Sequence, residues 1–177
     1  FWQDWEKPVH LALYDEDQPG SLYAADAGVK IYGGWSRAHA QKSLALFARA
    51  GYGTGTFRYP FFPDLPLDAF ESFILRNSGN DWPHTHFRDA LMHQLLRDVD
   101  LDVLAYRPVV VFLNGAYWGI QNLREKVSEH YVATHHGVDP DAVDLVELVS
   151  HAAQYNTIQG SDASLRAVLD YAETHDM

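Results

Sequence analysis

The chain has 177 residues, 47% of them apolar, 14% aromatic and 21% charged, a globular composition that excludes the polar, highly charged class of disordered chains. Twenty-four acidic residues against thirteen basic ones give a formal net charge of −11, a field that repels a phosphate backbone and argues against nucleic-acid binding. No apolar run approaches the roughly 20 residues that span a bilayer, and with no cysteine there is neither a disulfide nor a thiolate metal site.

The length suits one domain, or one large part of a bigger one. The chain opens on Phe1-Trp2-Gln3-Asp4-Trp5 with no initiator Met or signal pattern, and ends at Met177 in a stretch that reads as helix. It is therefore read as an excised fragment, 1–177 being a single domain or part of one.

Val9 to Asp15 reads as a strand, followed by the turn-rich Asp17-Gln18-Pro19-Gly20. Val29 to Tyr32 is a second strand and Ser43 to Ala48 a third, with Gly33-Gly34 between them. A glycine-rich turn at 51–55 leads into the aromatic stretch Phe57 to Pro66, and Phe70 to Leu75 is a further strand. Arg76 to Asp81 is a polar loop. From about Thr85 the period changes: Phe87, Leu91, Leu95 and Val99 form the stripe of an amphipathic helix, with Thr85 as its cap.

Arg107 to Leu113, the most apolar strand, is expected at the centre of a sheet. Asn114-Gly115 is the preferred dipeptide of a type I′ turn, so Tyr117 to Leu123 is the partner strand of a hairpin. Glu125 to His136 reads as a helix stopped by Gly137, Asp144 to Val149 as a short strand, and Ser161 to His175 as a last helix burying Leu165, Val168, Leu169 and Ala172. Strands first and helices later predict an α+β domain with a mostly antiparallel sheet.

Gly33-Gly-Trp-Ser-Arg37 with Gln41-Lys42-Ser43 is the segment richest in chemistry. Glycines admit close backbone approach, Ser36 offers a hydroxyl, and Arg37 and Lys42 supply fixed positive charge, which is what an anion such as a phosphate requires. The spacings fit neither a Walker loop nor a dinucleotide fingerprint, and a glycine turn with two solvated cations is the alternative. Leu75-Arg-Asn-Ser-Gly-Asn-Asp81 is either a site-bearing loop or a turn held by Asn and Asp side chains. Asp89 either complements the helix dipole or orients a lysine from a neighbouring strand. Glu125 is either the first turn of a helix or a residue at the rim of a pocket. The pairs His84/His86 and His135/His136, with His130, lack the spacing of a zinc hydrolase and read as surface residues.

Taken in order, Gly33 to Arg37, Gln41 to Ser43, Leu75 to Asp81, Phe87 to Ala90, Arg107 to Gly119 and Asn122 to Lys126 resemble the CotH kinase family, named for a spore-coat protein, over about residues 28–149. The resemblance implies the N-terminal lobe and hinge of an atypical protein-kinase-like fold that binds ATP with Mg²⁺ and phosphorylates protein side chains. It implies that Lys42 and Asp89 are catalytic, that Lys42 meets the nucleotide phosphates while Ser36 and Arg37 line the glycine turn of the nucleotide site, and that Glu125 lies near the adenine. It also implies a bacterial, secreted or cell-surface protein. Gln41 stands where many members carry a second lysine, and nothing after Val149 resembles the segments that supply the catalytic and metal-binding Asp, so this piece is expected to transfer little phosphate by itself. A non-enzymatic adhesion or carbohydrate-binding module is the alternative, using the rings of Phe57 to Phe62 with Trp35, Trp82 and Trp118.

Overall fold

The computed structural model describes residues 2–149 and 154–175. It divides into two units, Phe1–Lys126 and Val127–Met177. The first is a six-stranded antiparallel sheet in the order β1-β2-β3-β6-β8-β7, with β1 at Lys7–Tyr14, β2 at Ser21–Tyr32, β3 at Ser43–Phe47, β6 at Ser72–Arg76, β7 at Tyr106–Leu113 and β8 at Ala116–Glu125. A short side pair, β4 (Phe57–Arg58) and β5 (Ala69–Phe70), completes it. Together with helix α1 (Arg88–Leu95) this is the expected α+β class.

Val9, Leu11 and Leu13 alternate along β1 and pack towards a core of Ala27, Leu46, Phe57, Phe61, Phe62, Phe70, Phe73 and Leu123. Period-two alternation places one face of each strand in that core. Phe61 contacts Phe57, Phe70 and Phe73 with ring centroids 4.9 to 6.5 Å apart. The aromatic stretch is thus the filling of the sheet's inner face, and no platform of exposed rings. Arg107 near one sheet edge lies 3.9 Å from Asp15 beyond the other, so the sheet curls around these rings.

Two strands differ from the sequence reading. β2 runs for 12 residues, well before Val29; its Ala- and Asp-containing first half has poor strand propensity, and pairing with β1 from Lys7↔Val29 to Tyr14↔Ser21 imposes the extended form. β7 is an edge strand, not a central one. Pro108 in its middle has no N–H to give a second neighbour, which confines it to an edge. The β7–β8 turn is as expected: Asn114 and Gly115 have φ of +50° and +80°, the type I′ combination.

Helix α1 starts later than expected, and its stripe does not enter the core: Phe87, Leu91, Leu95 and Val99 are all exposed, and only Ala90 is buried. Thr85 is not its cap. The Arg88 N–H at the helix start donates to the Asp81 carboxylate at 3.1 Å, and the Thr85 hydroxyl itself donates to Asp81.

In the second unit, helix α2 (Glu129–His136) has Ser128 as N-cap, accepting from the Tyr131 N–H at 3.3 Å, and Gly137 closes it in the left-handed conformation. Strands β9 (Leu145–Val149) and β10 (Gln154–Gln159) pair antiparallel; β10 has no counterpart in the sequence reading. Helix α3 (Ala163–Thr174) half-buries Leu165, Leu169 and Ala172, while Val168 is exposed. Asp176 and Met177 lie outside the described residues. No described helix is long and apolar enough to cross a membrane.

Candidate functional site

The turn that joins β2 to β3 carries the expected cations. Gly33 has φ of +102°, and a Cβ there would lie 2.3 Å from Ser36 Oγ, so only glycine lets residues Trp35–Ala38 close into their single 3-10 turn. Arg37 Nε donates to the Gly33 carbonyl at 2.6 Å. The Lys42 ammonium donates to the His39 carbonyl. Ser36, Arg37 and Lys42 are therefore brought into one compact loop, each of them half-buried.

This loop is anchored from both sides of Lys42. Gln41 Nε2 donates to the carbonyls of Trp118 and Ile120, both at 3.1 Å, and its Oε1 accepts from Trp82 Nε1 at 3.0 Å. Gln121 Nε2 donates to the Lys42 carbonyl at 2.6 Å. Ser43 and Asn77, almost wholly buried, exchange hydrogen bonds, and Asn77 Nδ2 donates to the Gln41 carbonyl at 2.7 Å. Trp82 also stacks on His39, with centroids 5.0 Å apart. The polar loop after β6 is thus the clamp of the glycine turn. Sequence reasoning singled out that loop but missed Asn77 and Gln121 as positioning residues; an asparagine directly after an apolar strand was the one available signal.

Asp89 sits in the first turn of α1, but its partners are arginines. Its Oδ2 accepts from Arg124 Nη1 and lies 3.1 Å from Arg76 Nε, while Oδ1 is 4.0 Å from His93 Nε2. The expected pairing with Lys42 is replaced by this triad, because the β6 and β8 register brings Arg76 and Arg124 under the helix. Arg124 is 2% exposed; burial pushes its pKa down and the Asp89 charge opposes that. His93 Nδ1 accepts the Leu104 N–H at 2.9 Å, and burial followed by the Arg124 charge lowers its pKa below 6.5. The hydrogen bond from the Thr85 hydroxyl, with those from the Arg88 and Thr85 N–H groups, brings the Asp81 carboxyl down to about 2 against the effect of burial.

Glu125 is neither in a helix nor at a rim. It ends β8, is 4% exposed, and its Oε2 accepts the Ala105 N–H at 2.9 Å while its own N–H donates to the Ala105 carbonyl. A cleft of about 710 Å³ opens beside α1, and Asp89 lines it; Ser36, Arg37, Lys42 and Glu125 do not. Trp35 is exposed but meets Trp2 edge-on at 83°. Among the described residues no group of three or more His, Cys, Asp or Glu is placed to hold a metal ion.

An antiparallel sheet with a helix docked beside it and an anchored, cation-bearing glycine turn is an α+β domain. The family model described as CotH kinase protein matches residues 29–173. The chain belongs to the CotH kinase family. The match covers the strands and helices from the end of β2 onward and continues through most of α3. A curated relative, a protein named NAD kinase from Variovorax paradoxus (strain S110), is 31% identical over 111 residues, which is 61% of this chain and 36% of the relative. The chain thus spans little more than a third of the length of that protein.

Proposed function

We propose that this chain is the nucleotide-binding portion of a CotH-type kinase, with Lys42 as the cation that meets the phosphates of ATP. The observation that carries this reading is the immobilisation of Lys42: the side chains of Gln41, Gln121, Ser43 and Asn77 fix its backbone on both sides. A solvated surface cation has no need of a buried polar clamp, whereas a preorganised phosphate contact does. Arg37 and Ser36 complete the donor set, and the amides of the Gly33-Gly34 turn leave room for the anion. Glu125, at the end of β8, marks the strand along which the adenine lies. Asp89 acts by holding Arg76 and Arg124 in place.

This donor set fits a polyphosphate. It does not fit Mg²⁺, which takes carboxylate oxygens; the metal's ligands and the base for the acceptor hydroxyl come, in this proposal, from other parts of the full-length protein, and phosphotransfer by residues 1–177 alone is low. The acceptor is a protein side chain. The name of the Variovorax relative supplies a second acceptor to test, NAD. A bacterial secreted or cell-surface location belongs to the same proposal and rests on the family resemblance alone.

The test is calorimetric binding of Mg-ATP to the full-length protein and to its Lys42→Ala variant. A loss of at least about tenfold in affinity, roughly 1.4 kcal/mol, is expected. Equal affinities overturn the role of Lys42. Labelled ATP supplied with candidate proteins or with NAD then identifies the acceptor.

A further inference from the structure

The cleft beside α1 contains none of Ser36, Arg37, Lys42 and Glu125, although Asp89 and the Arg76 it positions line it. On the polar side stand Arg76 and Arg88; on the other are Met92, Leu96, Leu101 and Val103. Its volume, about 710 Å³, lies in the range of small-molecule sites. Three acidic residues line the wall, Asp81, Asp89 and Asp102, and the first two are engaged by the wall itself. Asp81 takes the Thr85 hydroxyl at 2.5 Å, the Arg88 N–H at 3.1 Å and the Arg88 guanidinium at 3.3 Å, and Asp89 takes both Arg76 and Arg124.

The guanidiniums are not engaged to the same degree. Arg124 Nε and Nη2 are buried and have no hydrogen-bond acceptor, although buried donors are nearly always satisfied, while Arg76 Nε faces Asp89 Oδ2 at 3.1 Å as an ion pair without the alignment of a hydrogen bond. Arg124 stands behind Asp89 and holds that carboxylate, while the Arg76 side chain is 31% exposed and lines the cleft. The Arg76 guanidinium is set into the wall: it lies 3.1 Å from where a Cβ on Gly79 would be, so that glycine makes its berth. Opposite, Met92, Leu96 and Leu101 form an apolar surface that is exposed among the described residues.

We propose that this cleft binds a small amphipathic anion, with a phosphate or carboxylate head on Arg76 and Arg88 and an apolar body against Met92, Leu96, Leu101 and Val103. A wholly apolar ligand leaves the guanidinium donors unmet, and a bare inorganic anion leaves the apolar wall uncovered. The site is separate from the glycine turn and does not depend on the nucleotide reading.

The experiment uses the full chain with ¹⁵N-labelled arginine, following the Nε–H signals as phenyl phosphate, phenylacetate and inorganic phosphate are titrated in. One or both phenyl anions shift the Arg76 and Arg88 signals, and whichever binds more tightly names the head group. Inorganic phosphate binds at least about tenfold more weakly than the better phenyl anion. Arg88→Ala and Leu96→Ser, both at solvent-accessible positions, each weaken binding about tenfold, and Lys42→Ala leaves it unchanged. The proposal is overturned if neither phenyl anion shifts these signals at about 10 mM, or if Arg88→Ala and Leu96→Ser bind as the wild type does.

Discussion

Ser43 Oγ donates to Asn77 Oδ1 at 2.8 Å and accepts the Asn77 N–H at 2.9 Å, a reciprocal pair in which neither side chain reaches solvent. The same Asn77 Oδ1 also accepts the Gly79 N–H at 3.0 Å. One asparagine therefore joins β3, the loop after β6 and the strand entry that carries Lys42. Asn77→Ala removes the side-chain partner of the Ser43 hydroxyl, the Gly79 N–H and the Gln41 carbonyl and is expected to cost about 2 kcal/mol. Urea unfolding measures it, and an effect within about 0.5 kcal/mol of zero would show that the clamp is unimportant.

The Asp89–Arg124 pair gives a second prediction. Asp89→Ala strands a guanidinium that is 2% exposed, but the Asp89 side chain is itself 39% exposed, so solvent screening holds the cost below that of a fully buried pair, to about 1–2 kcal/mol. Adding Arg124→Met to that variant is expected to restore much of the loss, because it removes the stranded charge. A double-mutant cycle with no coupling contradicts the assignment.

Acid stability should show two separate steps. His93 has a folded pKa below 6.5, so the unfolded chain takes up its proton first; stability is full above that value and declines as pH falls through the window beneath it. Protonation also removes the acceptor of the Leu104 N–H. Asp81, lowered from 3.8 to about 2, contributes stability that is present above 3.8 and lost as pH falls towards 2. Melting temperatures of the wild type, His93→Gln and Asp81→Asn between pH 7 and pH 2 separate them. His93→Gln should flatten the first decline and Asp81→Asn the second.

Gly119 faces the anchor of the glycine turn. Its φ is +117°, it lies opposite the β7 irregularity at Val111 and Phe112, and a Cβ there would come 2.6 Å from Gln41 Nε2. Gly119→Ala therefore combines backbone strain of about 1–3 kcal/mol with displacement of Gln41. We expect lowered stability and weaker Mg-ATP binding in the same variant. Unchanged binding would separate Gln41 from the phosphate site.

Local chemistry made several elements legible before any coordinates. Asn114-Gly115 requires only its own two backbone conformations, and Gly137 ends α2 for the same reason. The glycine turn with Ser36, Arg37 and Lys42 was legible as one segment, because its members are neighbours in sequence. Asp89 was noticed, but its partners were not: Arg76 and Arg124 reach it from two strands whose pairing no local pattern encodes. The stripe of α1 misled in the opposite way, since periodicity shows which residues share a face and not whether that face is covered.

The order of residues alone determined the α+β class, the hairpin and the grouping of cations behind Gly33, since each depends on composition or on contacts within a few positions. Strand order, the edge position of β7, the clamp around Lys42 and the arginine partners of Asp89 were decided only in three dimensions. They depend on contacts between residues that range from 13 positions apart, as Arg76 and Asp89 are, to 79 apart, as Gln41 and Ile120 are, where packing and the satisfaction of buried donors outweigh local preference.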